Sequence, residues 1–85
     1  MGTPEHRQLA GNAAVTLGIV TVSDSRTPET DTNYHYLKRR CDETGHEIAA
    51  YRLIKDEPDQ VAAALRDFTV MPNVRLILFN GGTGI

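Results

Sequence analysis

Val74-Arg75-Leu76-Ile77-Leu78-Phe79-Asn80-Gly81-Gly82-Thr83-Gly84-Ile85 is an apolar run that empties into three glycines within four positions. Val74 to Phe79 has the β-branched and aromatic character of a strand. Gly81, Gly82 and Gly84 carry no Cβ, so backbone N–H groups in this loop can close around an anion. Thr83 adds a hydroxyl able to reach a phosphate oxygen or a metal-bound water. The spelling matches neither G-x-G-x-x-G nor G-x-x-x-x-G-K-[ST], and as a bare motif it is equally a flexible loop; its place directly after a strand is what favours ligand binding. In an α/β protein such a loop opens into a further helix, yet Ile85 ends the sequence. The expectation is therefore the front part of a longer domain, cut just after its glycine loop.

Working outward, Val15 to Val22 reads V-T-L-G-I-V-T-V, an almost continuously apolar run suited to a strand covered on both faces. It ends in Ser23-Asp24-Ser25-Arg26-Thr27-Pro28-Glu29-Thr30, too long and polar for a tight hairpin. Between Asp31 and Glu43, Tyr34, Leu37 and Cys41 recur at helical spacing, with Thr30 or Asp31 as cap and Gly45 just past the end. His46 to Ile54 reads as a second strand, less apolar and so nearer an edge. Lys55-Asp56-Glu57-Pro58 closes it and opens a second helix, with Val61, Leu65 and Phe68 on one face; Met71-Pro72-Asn73 ends that helix.

The alternation β-α-β-α-β predicts an α/β fold: a mainly parallel sheet between two helical layers, a three-layer sandwich. Right-handed crossovers open all three strand-following loops on one edge of the sheet. With strand order 2-1-3, a crevice lies between strands one and three, lined by Ser23, Asp24, Ser25 and Arg26 on one side and Gly81 to Gly84 on the other. Asp56 stands at the same edge, one strand away. Asp24 and Arg26 there can hold Mg²⁺ and clamp a phosphate, or Asp24 can simply bend the chain in an Asx-turn. Asp56 can equally be an N-cap.

Composition bounds the rest. The chain has 85 residues, nine basic against eleven acidic, and a net charge of −2. Nothing in that balance suggests a general attraction to nucleic acid or an anionic membrane. The single Cys41 excludes an internal disulfide and fits a reducing cytoplasm; on helix one's apolar stripe it reads as a packed thiol. Met1 to Ala14 lacks the apolar stretch of a signal peptide and reads as a flexible leader before a domain at 15–85. His6, His35 and His46 have no metal-ligand partner at suitable spacing, and Lys38-Arg39-Arg40 reads as a solvated helix face.

Taken in order, Thr21-Val22-Ser23-Asp24-Ser25-Arg26, Glu29-Thr30-Asp31-Thr32, Tyr36-Leu37, Gly45-His46-Glu47 and Gly81-Gly82-Thr83-Gly84 closely resemble the MoaB/MogA family of molybdenum cofactor biosynthesis proteins. The resemblance runs from about Val15 to the end. It implies a molybdopterin-binding fold assembled as trimers or hexamers, whose catalytic members adenylate molybdopterin with Mg²⁺ and ATP. By position it makes Asp56 the acidic residue of metal binding and nucleotidyl transfer. It places Ser23 and Asp24 in the pterin and nucleotide loop, and Gly81 to Gly84 around the pterin's phosphate. Asn33-Tyr34 departs from the family's usual Ser-Gly after Asp-Thr, putting a bulky ring at the wall of the site. The family's later pocket segments lie beyond Ile85, so the chain by itself is expected to be inactive. Two other implications stay open: a module that binds a pterin or nucleotide without turnover, and the nucleotide-hydrolysing domain of competence-damage-inducible proteins, which Thr32-Asn33 and Tyr36-Leu37 echo.

Overall fold

A computed structural model describes residues 14–81. Three parallel strands, β1 (Thr16–Val22), β2 (Glu47–Ile54) and β3 (Leu76–Gly81), form one sheet in the order β2-β1-β3. Helix α1 (Thr32–Thr44) links β1 to β2, and α2 (Pro58–Thr69) links β2 to β3. A short 3-10 turn, Pro28–Thr30, precedes α1. No helix among the described residues is long and apolar enough to cross a membrane.

The pleat of β1 decides which helix covers which face. Gly18, Val20 and Val22 alternate with Leu17, Ile19 and Thr21, and all six are buried, which is why the run lacks a polar period. Val20 and Val22 pack with Ile54, Ala64 and Phe68, joined by Ala50, Val61, Met71 and Ile77, so α2 covers that face. On the other face Tyr34 of α1 stacks on Tyr51 of β2, ring centroids 3.8 Å apart. The two helices thus lie on opposite faces, giving the expected three layers.

Three local readings need correction. The buried residues of α2 are Ala64 and Phe68, whereas Leu65 is half exposed: the helix is turned so that small Ala64 faces the sheet. The third strand begins at Leu76 and continues through Asn80 and Gly81, because these pair with Thr21 and Val22. Asp56 is not the cap of α2; Glu57 holds that position, without a side-chain cap hydrogen bond. At α1 the reading holds, with Asp31 as N-cap and Gly45 as the left-handed residue ending the helix at φ 85°.

At Gly18, Phe68 of α2 packs directly against the backbone of β1. A Cβ built there would lie 2.5 Å from Cδ2 and 2.9 Å from Cε2 of Phe68, whose ring is 1% exposed and has nowhere to go. Gly18→Ala is accordingly expected to lower stability by about 1–3 kcal/mol through overpacking, read by urea unfolding. An unchanged midpoint would show that the ring yields freely.

Candidate functional site

The register puts the carboxyl ends of all three strands on one rim: Val22 lies beside Ile54 on one side and Gly81 on the other. The neighbours of β1 are reached by crossovers in opposite directions, so this is the switch point where open α/β sheets receive ligands. Among the sequence-predicted residues, Ser23, Asp24, Arg26, Asp56 and Gly81 stand at or beside this rim. Gly82, Thr83 and Gly84 lie outside the described residues, as does nearly all of the expected leader.

Ser23, not Asp24, turns the chain out of the sheet. Its Oγ accepts N–H bonds from Ser25 (3.3 Å) and Arg26 (3.0 Å), and its own N–H donates to the Ile54 carbonyl at 2.8 Å. Asp24 is released from the Asx-turn role and reaches across to β2, its Oδ1 accepting the Asp56 N–H at 3.1 Å. The Asp24 and Asp56 loops, which follow neighbouring strands, are therefore in direct contact. Gln60 fixes the second loop from α2, Oε1 accepting the Lys55 N–H and Nε2 donating to Glu57.

The sequence reading missed the most heavily engaged polar group near the rim. Asp31 is fully buried: Oδ1 caps α1 by accepting the Tyr34 N–H (3.1 Å), and Oδ2 accepts the Tyr51 hydroxyl (2.7 Å). Arg26 stands 4.0 Å from Oδ1, directed at this carboxylate. Burial raises the Asp31 pKa, but hydrogen bonds from Thr21, Tyr51 and the Tyr34 N–H, with the Arg26 charge, outweigh it and hold the pKa below the ordinary value. The same partnership acts oppositely on Tyr51, whose hydroxyl is pushed well up by burial, by its bond to Asp31 and by that charge. A signal existed in the sequence: Thr21 is a polar-tipped residue inside the apolar β1 run and pairs beside the strand that carries Tyr51, so a buried partner was called for.

The network crosses to β3. Asn80 Nδ2 donates to Thr21 Oγ1 at 3.0 Å, while Asn80 Oδ1 is buried with no hydrogen-bond partner among the described residues. Tyr34, the departure from Ser-Gly, lies flat on Tyr51 and walls this polar cluster on the α1 side.

No group of three or more His, Cys, Asp and Glu able to hold a metal occurs among the described residues. The donor set at the rim is instead two exposed carboxylates, Asp24 and Asp56, on touching loops. That set fits Mg²⁺, which keeps several waters and takes one or two carboxylates together with substrate phosphates.

Comparison with known proteins agrees with this fold. The family model described as "Probable molybdopterin binding domain" matches residues 18–85. Molybdenum cofactor biosynthesis protein B of Bacillus subtilis (strain 168) is 39% identical over 85 residues, all of this chain and 49% of that protein. Its counterpart in Escherichia coli (strain K12) is 32% identical over 69 residues, 81% of this chain and 41% of that protein. A crystal structure of molybdenum cofactor biosynthesis protein B superposes with a TM-score of 0.79 at 38% identity, covering 85% of this chain and 45% of that one. The chain spans about half the length of these bacterial relatives. By its matched residues and its three-layer parallel fold, the chain belongs to the molybdopterin-binding domain family.

Proposed function

We propose that this rim binds molybdopterin within molybdenum cofactor biosynthesis, and that in a full-length protein it serves Mg-ATP-dependent adenylation of that pterin. The observation that supports the reading best is the Asp24–Asp56 contact, which joins the loops after β1 and β2 on the rim of a family member, with the β1/β3 crevice on the other side of β1. In this reading the pterin's terminal phosphate sits against the glycine segment that begins at Gly81, where backbone donors and a missing Cβ allow close approach. Asp24 and Asp56 would hold Mg²⁺, which when bound neutralises phosphate charge.

The reaction forms a bond from a pterin phosphate oxygen to the α-phosphorus of ATP and breaks the bond to pyrophosphate. The chain's task is then positioning and charge compensation. Ser23 fixes the turn that presents Asp24. Arg26, tethered toward Asp31, is a two-pronged donor available to a phosphate.

Isothermal titration with molybdopterin and with Mg-ATP, on this chain and on a chain of the relatives' full length, tests the reading. Binding with pyrophosphate release selects the transferase, and binding without release selects a carrier module. For a transferase, Asp56→Asn is expected to lower turnover by at least a hundredfold with little change in pterin affinity, as suits a metal-holding group. Failure of both ligands to bind either protein would end the proposal.

A further inference from the structure

We propose that Asn80 reads the ring of the bound pterin: its buried side-chain carbonyl accepts a hydrogen bond from a ring N–H of the aminopyrimidinone, while the phosphate is held elsewhere on the rim. The inference rests on the reading of this rim as a pterin site and deepens it.

The orientation of the Asn80 amide follows from its neighbours. Asp31, buried and ionised, only accepts. The Tyr51 hydroxyl gives its single proton to Asp31 Oδ2. Thr21 Oγ1 lies on the same sheet face and is an acceptor for a neighbouring N–H. Asn80 supplies that N–H from Nδ2 at 3.0 Å. In this arrangement the amide nitrogen serves Thr21 and the amide oxygen is turned away from it. Oδ1 is consequently held away from Thr21 as an acceptor, in a place shut off from water, with no partner among the described residues.

Buried acceptors are seldom left unmade in folded proteins, and one at a ligand-receiving switch point has a ready explanation in a ligand donor. An acceptor repels phosphate, whose exposed atoms are themselves acceptors, and selects a heterocycle edge bearing N–H. Pterins present such an edge. Asn80 lies on the same sheet face as Thr21, Leu78 and Ile19, with the stacked pair Tyr34 and Tyr51 beyond, so the ring would lie on the α1 side of the rim.

The test uses 6-hydroxymethylpterin and inorganic phosphate as separate probes, titrated into the 85-residue chain and its Asn80→Leu variant by pterin fluorescence and by NMR. Leucine removes the orphan acceptor and leaves Thr21 free to relax, so the variant should melt no lower than the parent. Its pterin affinity should fall about ten- to hundredfold while phosphate affinity stays within twofold. In the unsubstituted chain the Asn80 side-chain amide signals should move with the pterin and not with phosphate, a measurement independent of any variant's folding. Unchanged pterin affinity in Asn80→Leu, with binding intact in the parent, overturns the inference and leaves the functional reading standing. Equal loss of pterin and phosphate, or a much lower melting temperature, makes Asn80 a brace for the glycine segment and overturns it as well. Absence of pterin binding by the parent removes the functional reading and this inference together.

Discussion

Asp31→Ala is expected to cost about 3–4 kcal/mol, a large share of the 5–15 kcal/mol that holds a small domain together. Three losses combine. The Tyr51 hydroxyl, at 2.7 Å from Oδ2, becomes a donor without its charged acceptor, worth about 1.5–3 kcal/mol. The N-cap of α1 at Tyr34 N–H disappears, worth about 1 kcal/mol. Arg26, 41% exposed, loses its counter-charge, but it turns to solvent and adds little. Asp31→Asn separates the terms. It keeps a good cap and the shape of the side chain, and is expected to cost about 1–2 kcal/mol, since one amide oxygen must serve both donors. Urea unfolding followed by circular dichroism measures both, and an alanine variant within 1 kcal/mol of the parent would contradict the network.

The charge on Asp31 also sets a pH window. Its pKa in the folded chain lies below the ordinary 3.8 that it regains on unfolding. The unfolded chain therefore binds the proton first, and the group's contribution is fully present above about pH 4. It is lost as pH falls through the lower, folded value. Between pH 7 and pH 5 this residue leaves stability flat; below pH 4 the parent should lose stability more steeply than Asp31→Asn. Parallel acid limbs for the two proteins would show that Asp31 is not the group responsible.

The contrast between Val20 and Asp31 shows what a sequence discloses. β1 was legible because its burial on both faces is written into consecutive residues, and parallel order followed from helices between strands. The rim followed too, since parallel strands bring their carboxyl ends together whatever the details. Asp31 was legible only as a cap, because that role involves Tyr34 three residues away. Its second role depends on Tyr51, twenty residues on, and on Thr21, which meet it only after β1 and β2 pair. Asn80 and Gly81 were read as loop for a similar reason: their own preferences favour turns, and pairing with Thr21 and Val22 overrides them. Likewise nothing near Asp24 in sequence announces that its oxygen meets the Asp56 N–H, 32 residues away. Contacts local in the chain were readable, and side-chain contacts made only once the strands pair were not.

Gly81→Ala has the largest expected effect on the rim itself, and Gly45 supplies its control. Both glycines have φ 85°, so an alanine at either carries a similar left-handed penalty of about 1–2 kcal/mol. Their surroundings differ. A Cβ at Gly45 meets nothing within 4 Å, whereas at Gly81 it would lie 2.6 Å from the Val22 carbonyl oxygen. That oxygen is backbone in the central strand and has no rotamer to escape into. Relief requires the end of β3 to peel away from β1, widening the crevice between them and shifting Asn80 off Thr21. Gly45→Ala is therefore expected to cost about 1 kcal/mol and leave phosphate and pterin affinity unchanged. Gly81→Ala should cost about 3 kcal/mol and weaken both ligands at least tenfold, because the strand end and the start of the glycine segment move as one. Chemical denaturation and calorimetric titration of the two variants side by side decide it. Equal costs at the two positions would mean that the β1–β3 seam opens freely at Val22, and that the rim is not the rigid edge on which the proposed site depends.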